Sequence, residues 1–178
     1  MYQEILDFWF TELEPEQWWQ KDEALDSMIR SRFGPVHAQA KAGELFQWRE
    51  TAPGSLAEIL VLDQFSRNIY RDNAASFACD PLALGLAQVA VSKGFDLALS
   101  PVQRSFVYMP FMHSESRRIH VEAVRLFESL GIENNLDFEY QHKKIIDRFG
   151  RYPHRNRILG RVSTPEETEF LQQEHAGF

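Results

Sequence analysis

Residues 55–71 read SLAEILVLDQFSRNIYR, and this stretch decides the fold class. Its opening, Ser55-Leu56-Ala57-Glu58, has the form of a capping box, in which a hydroxyl and a later Glu satisfy free N–H groups at a helix start. Leu56, Ile59 and Leu60 then mark one apolar face, and Leu62, Phe65 and Ile69 mark another. The spacing predicts a helix over 56–71 that is apolar nearly all round and so deeply buried. Such a helix needs other helices about it, and the flanking sequence supplies them. Thr164-Pro165-Glu166-Glu167 repeats the capping box, while Asp80-Pro81 and Ser100-Pro101 set a cap residue before a proline suited to the first helical position. Asp22 stands before a run from Glu23 to Phe33. Helical spacing recurs in Leu82, Leu86, Val89 and Ala90, and in Ile119, Ala123, Leu126, Phe127 and Leu130.

The pattern predicts helices near 2–12, 23–42, 56–71, 81–93, 101–130 with a break, 134–148 and 165–173. Pro110 should kink or break the fifth of these, because it removes a backbone hydrogen bond and clashes with the preceding turn. Gly94 and Gly131 read as helix stops. The stretch 150–161 lacks periodicity and reads as an ordered loop. No Asn-Gly or Asp-Gly hairpin signal, linker or low-complexity segment interrupts the pattern. The expectation is an all-α chain forming a single domain over residues 1–178.

Composition narrows the classes of function. The chain has 178 residues, 44% hydrophobic and 25% charged, with a formal net charge of -7. That acidity argues against nucleic acid as a partner, since phosphate binding needs an electropositive face. Cys79 is the only cysteine, which excludes a disulfide framework and a Cys-based zinc site and fits a reducing compartment. Residues 1–20 carry five acids and no Lys or Arg, so the basic start of a signal peptide is missing. No apolar run approaches the ~20 residues needed to cross a bilayer. A cytoplasmic protein without a membrane partner is expected, and the oligomeric state stays open. GxSxG, GxGxxG, the phosphate loop and HExxH are all missing, so ordinary hydrolase, dinucleotide, nucleotide and zincin readings lack their signals and no cofactor is implied.

Three clusters could carry chemistry. Asp63 follows Ile59 and Leu60 on an inward stripe and Arg67 follows Asp63 at i+4, so the two can pair; a buried pair serves either as a structural tie or as a ligand site completed by Asn68. Arg104 to Glu115, RSFVYMPFMHSE, carries His113 and Glu115 out of an apolar run at the break near Pro110. His113 is the candidate general acid or base, with Glu115 or Asp63 orienting it. His113 and Glu115 are two residues apart and do not make a helical metal pair, so no metal is expected. Between His142 and Arg161 seven basic residues face one acid, Asp147, an excess of +6 against -13 for the rest of the chain. Within it His142, Arg148, Arg151, His154, Arg155 and Asn156 can present guanidinium forks to a carboxylate or phosphate, or can instead close a helix end and pair with Asp63 or Glu115. Cys79 has no evident base and reads as a bystander. Trp9, Trp18, Trp19 and Trp48 read as core or groove-lining aromatics.

With these motifs in view, the chain resembles a bacterial family catalogued as domain of unknown function 924. ILDFWF at 5–10, WW at 18–19, LDQFSRNIYR at 62–71, YMPFMHSE at 108–115, and FGRYPHRNRILGR at 149–161 with STPEE after it carry the resemblance from end to end. Ser66 stands where the family pattern usually has Pro. The resemblance implies a tetratricopeptide-like stack of antiparallel helix pairs and brings no reaction with it. Two readings of function follow. One is a small-molecule pocket, for an anionic ligand, where helix 56–71, the break near Pro110 and loop 150–156 converge. The other is a peptide- or protein-binding scaffold without catalysis.

Overall fold

The computed structural model describes residues 2–173, so the single-domain reading of 1–178 extends past it at both ends. Helices α1 (Tyr2–Asp7), α2 (Glu23–Lys41), α3 (Ala52–Leu60), α4 (Ser66–Ile69), α5 (Asp80–Ser92), α6 (Pro101–Met112), α7 (Arg117–Leu130), α8 (Glu133–Phe149) and α9 (Pro165–Leu171) follow in order. Short 3₁₀ turns join several of them, and no strand occurs among the described residues. The all-α class stands.

The central stretch is longer and less regular than its sequence pattern. Its helix starts four residues before Leu56, because Thr51 accepts from the Gly54 N–H and Pro53 sits in the first turn. The Ser55–Glu58 capping box is therefore not used; Glu58 is fully buried and takes a two-pronged contact from Arg49. At Val61–Phe65 the chain widens into a π segment between α3 and α4, which carries Asp63. A second π segment, Phe8–Glu12, continues α1. The core forms around α3 and these two segments: Leu56, Ile59, Leu60, Leu62 and Phe65 are buried among Phe8, Trp9, Phe33 and Phe106.

The long 101–130 segment does break, but at 113–116 rather than at Pro110, which lies inside the last turn of α6. Four residues join α6 to α7 and two join α7 to α8, and such short links make antiparallel neighbours. Gly94, Gly131 and Gly150 each turn the chain with positive φ, where a side chain would be strained. Residues 150–161 are the expected loop, with one 3₁₀ turn at Pro153–Arg155. A satellite core of Ile145, Ile146 and Tyr152, joined by Phe149 and Phe170, ties α8, this loop and α9 together.

One described stretch, Ala74–Ser92, has the length and hydropathy of a membrane span, contrary to the expectation that none approaches it. Its regular helix, α5, has only 13 residues, about 20 Å, and it packs on α3 and α6. It also begins at Asp80, whose carboxylate meets two arginines.

Candidate functional site

The α6–α7 break leaves backbone carbonyls without helical donors, and three buried side chains catch them in succession. Tyr152 Oη donates to Met112 O at 2.5 Å, Arg155 Nη2 to His113 O at 3.0 Å, and His120 Nε2 to Ser114 O at 2.8 Å. The Glu115 side chain extends the clamp, accepting from the Tyr152 N–H at 2.7 Å and from both terminal nitrogens of Arg161. The segment 112–115 is thus held from α7 on one side and from the 150–161 loop on the other.

This clamp sets His113 beside the π segment. His113 Nδ1 lies 2.7 Å from Asp63 Oδ1, and Asp63 is 1% exposed. Burial alone would raise the Asp63 pKa, but the Arg67 charge and the His113 contact hold its carboxyl well below the usual carboxylate range. An ionised carboxylate only accepts, so Nδ1 carries the proton and Nε2 presents a lone pair. Nε2 has no hydrogen-bonding partner among the described residues. Burial, then the nearby Arg67 charge, pushes His113 below the ordinary imidazole range against the pull of Asp63, which keeps the ring neutral at pH 7.

Arg67 donates to the Asp63 backbone carbonyl at 2.8 Å, lies 3.2 Å from its carboxylate, and reaches Asp80 through both terminal nitrogens. Asp80 also accepts from Arg155 at 3.2 Å. The Arg155 guanidinium sits between the rings of Phe77 and Tyr152, 4.5 and 4.6 Å from their centroids. Asp63, Arg67, Asp80 and Arg155 therefore form a chain of two anions and two cations beside His113. Next to it opens a cleft of about 400 Å³, walled by Phe77, Pro81, Leu84, Pro110 and Leu159 and bordered by Asp80, His113, Ser114, Glu115 and Arg155.

The sequence candidates fall into four groups. Asp63, Arg67, His113 and Arg155 come together directly. Glu115 borders the cleft but is committed to Arg161, so Asp63, not Glu115, orients His113. His142 and His154 gather on the ring of Tyr152, with centroids at 5.7 and 5.5 Å, and burial drives both below the ordinary range, to about 3 and about 4. The remaining candidates lie outside the cleft. Asn68 binds Asp26 behind α2. Arg104 donates to Ser129 O at 3.5 Å, about 13 Å along α6 from His113. Arg151 pairs with Glu167, and Asn156 ties Ser163, Glu167 and Arg161 into the loop. Arg148 is exposed, its guanidinium 4.6 Å from the Phe149 ring centroid. The basic excess of 142–161 is consequently not an open anion cluster: Arg151, Arg155 and Arg161 point their forks at Glu167, Asp80 and Glu115.

The structure adds Asp80, His120, Glu139, Tyr152 and Arg161 to the cluster. Asp80 drew notice only as a helix cap, although the observed cap is Cys79 and Asp80 is the first helical residue. Arg161 was one charge in a basic run. His120 and Glu139 give no motif: they stand 19 residues apart and meet only because α7 and α8 pack antiparallel, where both are fully buried at 2.7 Å. No group of His, Cys, Asp and Glu with the makings of a metal site occurs among the described residues.

Comparison with known proteins agrees with this architecture. None of the curated proteins matches the chain. A solved structure of a protein of unknown function from Agrobacterium tumefaciens, ATU0120, is 41% identical, with 97% of each chain covered and a TM-score of 0.93. The family model described as a bacterial protein of unknown function, DUF924, matches residues 5–175, and the chain belongs to that family.

Proposed function

We propose that the cleft beside His113 binds a small molecule and that His113 Nε2 serves there as a general base, with Asp63 fixing the ring and its tautomer. The observation that carries this reading is the 2.7 Å contact between His113 Nδ1 and Asp63 Oδ1 in a residue that lines the cleft and whose other ring nitrogen has no partner among the described residues. A neutral imidazole with a carboxylate behind it is suited to taking a proton from a hydroxyl or a water. Arg67 and Arg155 hold Asp63 and Asp80 in place. Because these charges balance within the network, the anionic ligand expected from the basic run loses its main support. The apolar walls favour a largely apolar molecule with one protic group at His113. A lone buried Cys79 agrees with a reducing, cytoplasmic setting.

A thermal-shift screen against a metabolite library tests the reading, since a ligand at 100 times its Kd stabilises a fold by about 2.7 kcal/mol. With the ligand found, His113→Gln should leave stability within about 1 kcal/mol and cut turnover roughly 10²- to 10⁴-fold, because Gln cannot accept a proton near neutral pH. Full turnover in that variant removes His113 from catalysis.

A second reading, a tetratricopeptide-like scaffold for peptides, is favoured by one feature. Trp19 is 61% exposed and lies parallel to Phe106 at 6.0 Å, next to Trp18 and Phe10, offering an aromatic face outside the cleft.

A further inference from the structure

A second cleft, of about 420 Å³, shares no lining residue with the first and is lined by Arg30, Gly34, Ile69, Tyr70, Arg71 and Asn73. Its guanidinium groups are anchored from behind. Arg30 donates through Nε and Nη2 to the Ile69 carbonyl, at 3.1 and 2.6 Å, where the cation also suits the C-terminal end of α4. Arg71 donates through Nε and Nη2 to Asp26. Asp26, 6% exposed, is fully occupied, since it also accepts from Asn68 Nδ2 at 2.8 Å.

What the lining has left is a set of donors. Nη1 of Arg30 and Nη1 of Arg71 have no acceptor among the described residues, and neither does the Tyr70 hydroxyl. Asn73 uses its side-chain oxygen to cap Ala75 N at 2.9 Å, which leaves its amide nitrogen unused. None of the six lining residues is an acid; Asp26 and Asp72 act on Arg71, and Lys21 pairs with Asp72 at 3.1 Å, so two arginines and a lysine stand against two acids on a chain of net charge -7. Gly34 keeps the wall low, as a Cβ built there meets nothing within 4 Å. Helix capping accounts for the fixed half of Arg30. It does not account for a concave site lined by two held guanidiniums, a phenol and an amide, each with a donor left over, Arg30 and Asn73 at its exposed rim and Tyr70 and Arg71 half-buried.

We infer that this second cleft binds the oxyanion group, phosphate or carboxylate, of a small molecule, using Arg30, Arg71, Tyr70 and Asn73 as donors. Planar guanidiniums held in place lose little freedom on pairing with such a group, and charge-assisted hydrogen bonds are the strong kind. This inference is independent of the reading of His113.

The test is a titration of the ¹⁵N-labelled chain with inorganic phosphate, and separately with acetate, at constant ionic strength set by chloride. Saturable amide shifts confined to residues 30–34 and 69–73 are expected. Saturation by phosphate alone assigns a phosphate-bearing ligand, and saturation by acetate as well extends the class to carboxylates. Asn73→Asp keeps the cap on Ala75 with an equally good acceptor and replaces the free amide donor by a negative charge. It should weaken binding by at least about tenfold, as should Arg30→Gln, each with an unchanged circular dichroism spectrum. His113→Gln should bind both anions as the wild type does. Shifts that grow without saturating, that chloride reproduces, or that survive Asn73→Asp and Arg30→Gln overturn the proposal.

Discussion

Two histidine–carboxylate pairs lie within a few residues of each other, and they are put to different uses. His113–Asp63 and His120–Glu139 have the same 2.7 Å contact through Nδ1. Their second nitrogens differ. His120 Nε2 donates to the Ser114 carbonyl at 2.8 Å and lies 3.2 Å from the Tyr152 hydroxyl, so every polar atom of that ring is occupied. His113 Nε2 has no partner among the described residues, and His113 lines the cleft. The carboxylates diverge as well. Arg67 helps hold Asp63 ionised, whereas Glu139 has no cation so close, keeps Oε2 unpaired, and is raised by burial above the usual carboxylate range. The lesson is that a short His–carboxylate contact does not by itself mark a reactive ring; what the far nitrogen meets decides it.

The sharpest way to break the comparison is Asp63→Ala. It strips His113 of its orienting partner and leaves Arg67 with only Asp80, and breaking a buried ion pair costs about 3–5 kcal/mol. A urea midpoint equal to that of the wild type would place Asp63 outside the network. His120→Gln should come next, at about 2–3 kcal/mol, because it takes from Glu139 and the Ser114 carbonyl their shared buried hydrogen-bonding partner. If ligand turnover falls further in this variant than in His113→Gln, the assignment of roles is reversed. Ring ¹⁵N spectra sharpen the same contrast without a ligand: His113 should show the Nδ1–H tautomer at pH 7, and His120 should carry a proton on Nε2.

Acid supplies the third test. Burial lowers His142 to about 3 in the folded chain, against about 6.5 when unfolded, so the fold favours the neutral ring. Stability from this source is complete above pH 6.5 and declines as pH falls through the window towards 3, because the unfolded chain binds the proton first. At pH 5 the loss is about 2 kcal/mol for His142, and His154 adds to it in the same direction. Urea midpoints at pH 7.5 and pH 5 measure it, and His142→Gln should flatten the difference. The smallest effect belongs to Arg148→Ala. With an exposed guanidinium on Phe149, it should change stability by no more than about 0.5 kcal/mol and leave the cleft unaltered.

Much of the helical plan was legible because its signals are local. Asp22, Ser100 and Thr164 cap where their side chains say they should, and Gly94 and Gly131 follow helix ends with positive φ. Thr51-Ala52-Pro53 competes with Ser55 as a start signal and wins, since Thr before a proline turn is an equally good cap. The Asp63–Arg67 pair could be read from i, i+4 spacing, and the His113–Asp63 contact stood as one of two options. Separating Asp63 from Glu115 as the orienting group needed the position of Arg161, which is 46 residues from Glu115 in sequence. The basic run misled for the same reason: a count of charges along 142–161 is blind to acids such as Asp80 and Glu167 that arrive from elsewhere. His120, Glu139 and Tyr152 were invisible because nothing local distinguishes a buried polar residue whose partner lies on another helix.

The π segment at Val61–Phe65 explains the two apolar faces of the central stretch. An α-helix keeps one face in step every 3.6 residues, whereas a π turn, with its i→i+5 bonds, adds one residue without ending the helix. Leu56, Ile59 and Leu60 run on the phase before the added residue, and Phe65 and Ile69 on the phase after it. The helix is thus a splice of two registers, and Asp63 sits in the seam. Removing any one residue from 61–65 would close the seam into plain α-helix and turn everything beyond it by about 100° relative to α3. Deleting Val61, Leu62, Gln64 or Phe65 changes no charge, yet it would swing Arg67 away from Asp80 and the Arg30 cleft away from its anchor at Ile69. One surplus residue in a helix thereby sets the bearing of both clefts at once.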